Sequence, residues 1–151
     1  MKKFKFSLES VLKYKIFLEK EAMQEVMSVN FEIRQCEAGI EKITLERENI
    51  FNELEKKTSD GISIETFQLF QNYIFSVESR LEKEKDRLSQ LFAEKEIKTK
   101  KLVEAKKEKE ALDSLKEKNR ERYIKKMLYE EQKELDEISS TKKAREICDE
   151  V

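Results

Sequence analysis

Lys57-Thr58-Ser59-Asp60-Gly61-Ile62-Ser63-Ile64-Glu65-Thr66-Phe67 is the one turn-like cluster in a chain of 151 residues, and its reading decides the fold. Gly61 can take the positive φ that ends a helix or reverses the chain. Ser63 reads as an N-cap, with Ile62 before it and Phe67 four residues after it, the spacing of a hydrophobic staple. Glu65 stands in the first turn, where the helix dipole favours an anion. The same device opens the chain: Phe6, Ser7 as cap, Val11 as staple partner and Glu9 in the first turn. Two capped starts predict two helices, about 7–56 and about 64–140, joined by a turn over 57–62. A frayed or disordered C-terminal tail would follow, and residues 1–151 read as a single coiled-coil domain.

Composition supports helices on both sides of that turn. There is no proline, tryptophan or histidine, and the two glycines are Gly39 and Gly61. Without proline the chain lacks the strongest helix interrupter, and strand punctuation is missing too. Charged residues make up 43% of the sequence, mostly Glu and Lys, which are good helix formers. A disordered chain would share this charge and a mean hydropathy of −0.80. The 38% of apolar residues and a net charge of −1, however, suit a narrow buried stripe. They do not suit a large globular core.

Periodicity sharpens the picture. Val26, Val29, Ile33, Cys36, Ile40, Ile43, Arg47, Ile50 and Leu54 alternate steps of three and four, with Arg47 the one charged exception. That is the seam of a coiled coil. Upstream, Leu8, Val11, Leu18 and Ala22 read as its continuation, with a stutter at Ala22 to Val26 that would locally unwind the supercoil. Cys36 on the seam reads as a small hydrophobe. The second helix carries Phe67, Phe70, Ile74, Val77, Leu81, Leu88, Leu91, Leu102, Ala105 and Leu112, then Ile124, Leu128, Leu135 and Ile138. Glu84, Lys95, Lys98 and Lys109 fall on seam positions in between, where lysine stems can cover apolar surface while the ammonium stays wet. The expected fold is therefore all-α: a long antiparallel two-helix coiled-coil hairpin with helix two longer than helix one.

That asymmetry has a functional reading. Helix one would span ~75 Å and helix two ~115 Å at 1.5 Å per residue. Folded about the turn, Leu8 would pair near position 113 and everything after Leu115 would have no partner within the chain. Ile124, Met127, Leu128, Leu135 and Ile138 nonetheless keep an apolar stripe, which a solvated helix does not need. Such a stripe marks a binding surface or an oligomer seam.

Catalytic chemistry is not expected. Without histidine the default general base and commonest metal ligand are missing. Neither glycine sits in a phosphate-binding loop, and no cofactor is implied. Cys36 and Cys148 make neither a disulfide framework nor a metal box. Met1 to Ser10 lacks the apolar run of a signal peptide, and no window approaches a membrane span. These features predict a cytoplasmic protein. Residues 98–126 hold twelve basic against six acidic residues, while 129–151 hold eight acidic against four basic. This is either an ordinary charged helix or a collar that steers one end into an acidic partner. The near-zero net charge and interleaved Glu argue against nucleic acid.

Three ordered segments resemble the flagellar export protein FliJ family. Phe4-Lys5-Phe6-Ser7-Leu8-Glu9-Ser10-Val11-Leu12-Lys13-Tyr14-Lys15 is similar to that family's F-x-F-x-L-x-x-[VI]-L-x-x-[KR] opening. Gly61-Ile62-Ser63 through Phe70-Gln71-Asn72-Tyr73-Ile74 resembles its central G-I-S…[YF]-Q-x-[YF]-I segment. Leu112 to Lys118 with Glu131-Gln132-Lys133-Glu134-Leu135-Asp136-Glu137-Ile138 resembles its tail. The resemblance implies a non-catalytic, stalk-like component of the flagellar type III export apparatus. It would bind the export ATPase ring and the cytoplasmic domain of the export-gate membrane protein, and escort or recycle export chaperones. It would lie peripherally at the inner membrane. Carried over by position, the gate contact falls on Phe70, Tyr73, Ile74 and Val77. Phe70 and Ile74 are also seam residues, so a packing role competes, and Tyr73 is the better exposed anchor. The ATPase contact falls on the two ends, at Phe4, Phe6, Leu8, Leu12, Tyr123, Ile124, Met127, Leu128, Leu135 and Ile138. The alternative is a self-assembling structural coiled coil in which the tail stripe pairs with a second copy.

Overall fold

The computed structural model describes residues 3–149. Two helices make up the fold, α1 from Glu9–Asp60 and α2 from Ile64–Asp149, and they pack antiparallel as a hairpin with α2 the longer. Gly61 makes the reversal with φ +93, its N–H donating to the Thr58 carbonyl at 3.4 Å. Ser63 caps α2 as its sequence suggests: the Thr66 N–H donates to Ser63 Oγ at 3.3 Å, and the Phe67 N–H to the Ser63 carbonyl at 3.0 Å.

The helix ends differ from the sequence reading in three places. Residues 57–60, expected in the turn, belong to α1. The Thr58 hydroxyl donates back to the Leu54 carbonyl at 2.7 Å, and nothing before Gly61 forbids helix. At the other end α1 begins at Glu9, with the Leu12 N–H donating to the Leu8 carbonyl at 2.9 Å. Val11 is 40% exposed there, whereas Phe6 is buried. The α2 helix continues past 140 to Asp149, since no proline or glycine stops it.

Two compact units divide the chain, Lys20–Glu104 around the turn and, separately, the residues up to Glu19 with those from Ala105 onward. The turn-proximal unit holds both apolar clusters. Ile50, Leu54, Ile74 and Val77 form one, with Ile43, Ile62 and Phe70 packed on it. Val29, Ile33, Cys36 and Leu91 form the other, flanked by Ile40 and Leu88. These are the three-and-four positions of both helices, which is why a strip of short aliphatic side chains suffices. Cys36 is 4% exposed and its Sγ lies 3.4 Å from the Glu84 carbonyl; burial, then Glu84, pushes the thiol up.

The terminal unit is built differently. Leu12 is buried while Val11 is exposed, and the half-buried positions that follow on α1, Lys15, Ile16, Leu18 and Glu19, include two charged residues. Glu19 pairs with Lys109 at 2.9 Å, Glu9 with Lys116 at 2.8 Å, and Lys15 with Glu108. Pairing also runs past Leu115: Phe4 meets Tyr123 with ring centroids 5.6 Å apart. The segment before Glu9 is non-helical. Extended chain advances over ~3 Å per residue against 1.5 Å in a helix, so five residues reach from the level of Lys116 to that of Tyr123.

Candidate functional site

In the turn-proximal unit, Thr66 to Val77 is a run of twelve residues without a charge, bounded by Glu65 and Glu78. In a chain so rich in Glu and Lys, such a gap at the start of α2 singles this surface out. Ile74 and Val77 are buried at 6% and 0% exposure, and a partner cannot reach them while the hairpin is closed. Phe70 is half-buried against the same cluster, with the Lys57 ammonium 5.0 Å above its ring. Tyr73 is 46% exposed. Its hydroxyl donates to Glu46, which also accepts from Arg80 at 3.0 Å. These two bonds hold the Glu46 carboxyl below its usual range, and Glu46 in turn raises the Tyr73 phenol.

Sequence reasoning overlooked the most exposed apolar members of this surface, Ile64, Leu69 and Phe75. They sit off the seam, and looking only for the three-and-four pattern hides them. For Leu69 and Phe75 the signal that finds them is the uncharged run itself, whereas Ile64 lies just before it. Beside them, Arg47 stands on the seam with its guanidinium 3.3 Å from Glu78 and 5.5 Å from the Phe51 ring. Its Nε is buried without a partner.

In the terminal unit the ten expected contact residues separate into two groups. Phe6 and Leu12 are buried, and Phe4 is half-buried against the half-buried Tyr123. Leu8 is at the margin of exposure. Beyond Tyr123, Ile124, Leu128, Leu135 and Ile138 are exposed, and Met127 is half-buried. Apart from Met127, this outer group does not extend the intrachain seam. The inward positions of α2 here are Leu112, Lys116, Asn119, Tyr123 and Met127. At about 100° per residue, Ile124 and Leu128 lie roughly 100° and 140° around the helix from Tyr123. The tail stripe therefore looks away from the side that receives α1. Tyr14 and Phe17, which the sequence reading left out, are a further exposed aromatic pair on α1 in this unit.

A helical hairpin with exposed apolar residues in each unit and a largely ion-paired terminal seam defines a coiled-coil protein. No helix among the described residues is long and apolar enough to cross a membrane. A family model described as "Flagellar FliJ protein" matches residues 4–146, and the chain belongs to that family. It is thus one of the non-catalytic components associated with type III export. Among solved structures, a protein described as a YscO homolog from Chlamydia trachomatis is similar. It is 21% identical, with 91% of this chain and 94% of that one covered, at a TM-score of 0.47. No curated protein matches the chain.

Proposed function

We propose that this chain is a stalk-like adaptor of the flagellar export apparatus that binds the export ATPase ring and the cytoplasmic domain of the export-gate membrane protein. The observation that carries this reading is the family match over residues 4–146. Two apolar surfaces in separate units support two different partners. The terminal unit contacts the ATPase through Leu8 and the face carrying Ile124, Leu128, Leu135 and Ile138. Phe6 and Leu12 support that contact from within by holding the N-terminal segment in place. The gate contact uses the uncharged start of α2, with Leu69, Tyr73 and Phe75 as the touching residues and Ile74 and Val77 as the packing beneath them. Escort or recycling of export chaperones is the third role in this reading. The protein works on the cytoplasmic side, peripheral to the membrane.

The test is ATPase turnover of the flagellar export ATPase with and without the chain, together with a pull-down of each partner. Wild-type chain binds both partners and stimulates turnover. Leu69→Asp with Phe75→Asp loses the gate and keeps the ATPase, whereas Leu128→Asp with Leu135→Asp does the reverse. Absence of ATPase binding and of any rate effect at micromolar protein would sink the proposal.

A further inference from the structure

We infer that a second copy of this chain covers the tail stripe of α2 in the free protein, pairing antiparallel through residues 120–138. The first argument is the stripe itself. Ile124, Leu128, Leu135 and Ile138 are 45%, 60%, 61% and 63% exposed, and they point away from the side of α2 that receives Phe4. A second helix can lie along this face without displacing anything in the terminal unit.

The second argument is the direction of the pattern. The four apolar positions are separated by four, seven and three residues, which reads nearly the same backwards. Reversed about a point near residue 131, Ile124 of one copy faces Ile138 of the other, and Leu128 faces Leu135. A two-fold axis through that point makes the surface self-complementary, as an isologous interface requires.

The charges obey the same axis. Residues 120–126 carry Arg120, Arg122, Lys125 and Lys126 against Glu121. Residues 130–137 carry Glu130, Glu131, Glu134, Asp136 and Glu137 against Lys133. Antiparallel pairing sets the basic half of each copy on the acidic half of the other. Parallel pairing would stack like on like and is disfavoured by the same charges. This arrangement accounts for the switch of sign along the tail. It goes beyond the adaptor reading and is independent of it, because it concerns the isolated chain. Where both hold, the ATPase must displace the second copy.

Sedimentation equilibrium of the full chain at low salt, over about 1–100 µM, reads the association directly. A concentration-dependent monomer–dimer equilibrium is expected. Lys125→Glu with Lys126→Glu, and separately Glu134→Lys with Glu137→Lys, each weaken the dimer by about tenfold or more, because like charges then meet. Mixed in equal amounts, the two variants recover a heterodimer. Far-UV circular dichroism confirms that both variants keep their helix. A monomer at every concentration overturns the inference, as does a dimer indifferent to both charge reversals.

Discussion

Tyr73 and Ile74 are neighbours in the chain, yet the structure buries Ile74 and leaves Tyr73 nearly half exposed, and replacing each by alanine separates packing from the proposed contact. Ile74 is 6% exposed in the cluster with Ile50, Leu54 and Val77. Ile74→Ala removes three carbons at about 0.8 kcal/mol each and leaves a cavity that two helices close only in part. The expected loss is about 2–4 kcal/mol, a large share of the stability of a domain this size. With a urea dependence of about 1–3 kcal/mol per molar, the unfolding midpoint by far-UV circular dichroism falls by about 1–2 M. Tyr73→Ala deletes a side chain that is nearly half in solvent and a single exposed hydrogen bond to Glu46, so its midpoint moves by a small fraction of that amount. Pull-down of the gate's cytoplasmic domain, with both variants folded, then reverses the ranking: Tyr73→Ala loses binding and Ile74→Ala keeps most of it. Equal destabilisation by the two substitutions would refute the division into buried support and exposed anchor.

The two glycines should respond with opposite signs. Gly61→Ala places a side chain at φ +93 and costs about 1 kcal/mol in urea unfolding, although its Cβ would meet nothing within 4 Å. Gly39→Ala, mid-helix with equally open space, stabilises by about 0.5–1 kcal/mol in the same assay. In thiol labelling with an aromatic disulfide, exposed Cys148 reacts at once, and Cys36 reacts only as the chain unfolds, because burial and Glu84 disfavour its thiolate. Two equally fast thiols in native protein would contradict its place on the seam. For Glu46 the folded pKa lies below the ordinary 4.5, so its stabilisation is present above pH 4.5 and is lost as pH falls through the lower folded value. Glu46→Gln should flatten the acid limb of the stability–pH profile in that window. An unchanged limb would mean that the Tyr73 and Arg80 bonds do not form in solution.

The turn and the turn-proximal seam were legible in the sequence because every signal there agrees. Gly61, the Ser63 cap and short aliphatic residues at three-and-four spacing all point to one hairpin. The terminal unit was not legible in the same way. Its inward positions carry Lys15, Glu19, Lys109 and Lys116, while apolar Val11 and Leu8 stand at or beyond its edge. A two-helix seam is narrow and open to water along both flanks, so a charged side chain can sit there if its head reaches a partner. Hydropathy then loses its hold on which face is inward. The same effect put Ile124 and Leu128 on the seam by spacing, whereas Tyr123 and Met127 occupy it. For the candidate sites, sequence picked segments of α2 without telling their buried residues from their exposed ones. Ile74 and Val77 look like partner residues until a second helix is placed over them.

The pairing of Phe4 with Tyr123 also sets a timetable. During synthesis the N-terminal aromatic segment leaves the ribosome first, yet the part of α2 that covers it is among the last third of the chain to appear. At about 5–20 residues per second, that interval is on the order of ten seconds. The hairpin around Gly61 can close as soon as its two arms are out, joining residues a few tens of positions apart. Phe4 is therefore made well before the residue that covers it, and the nascent chain holds it uncovered throughout that wait.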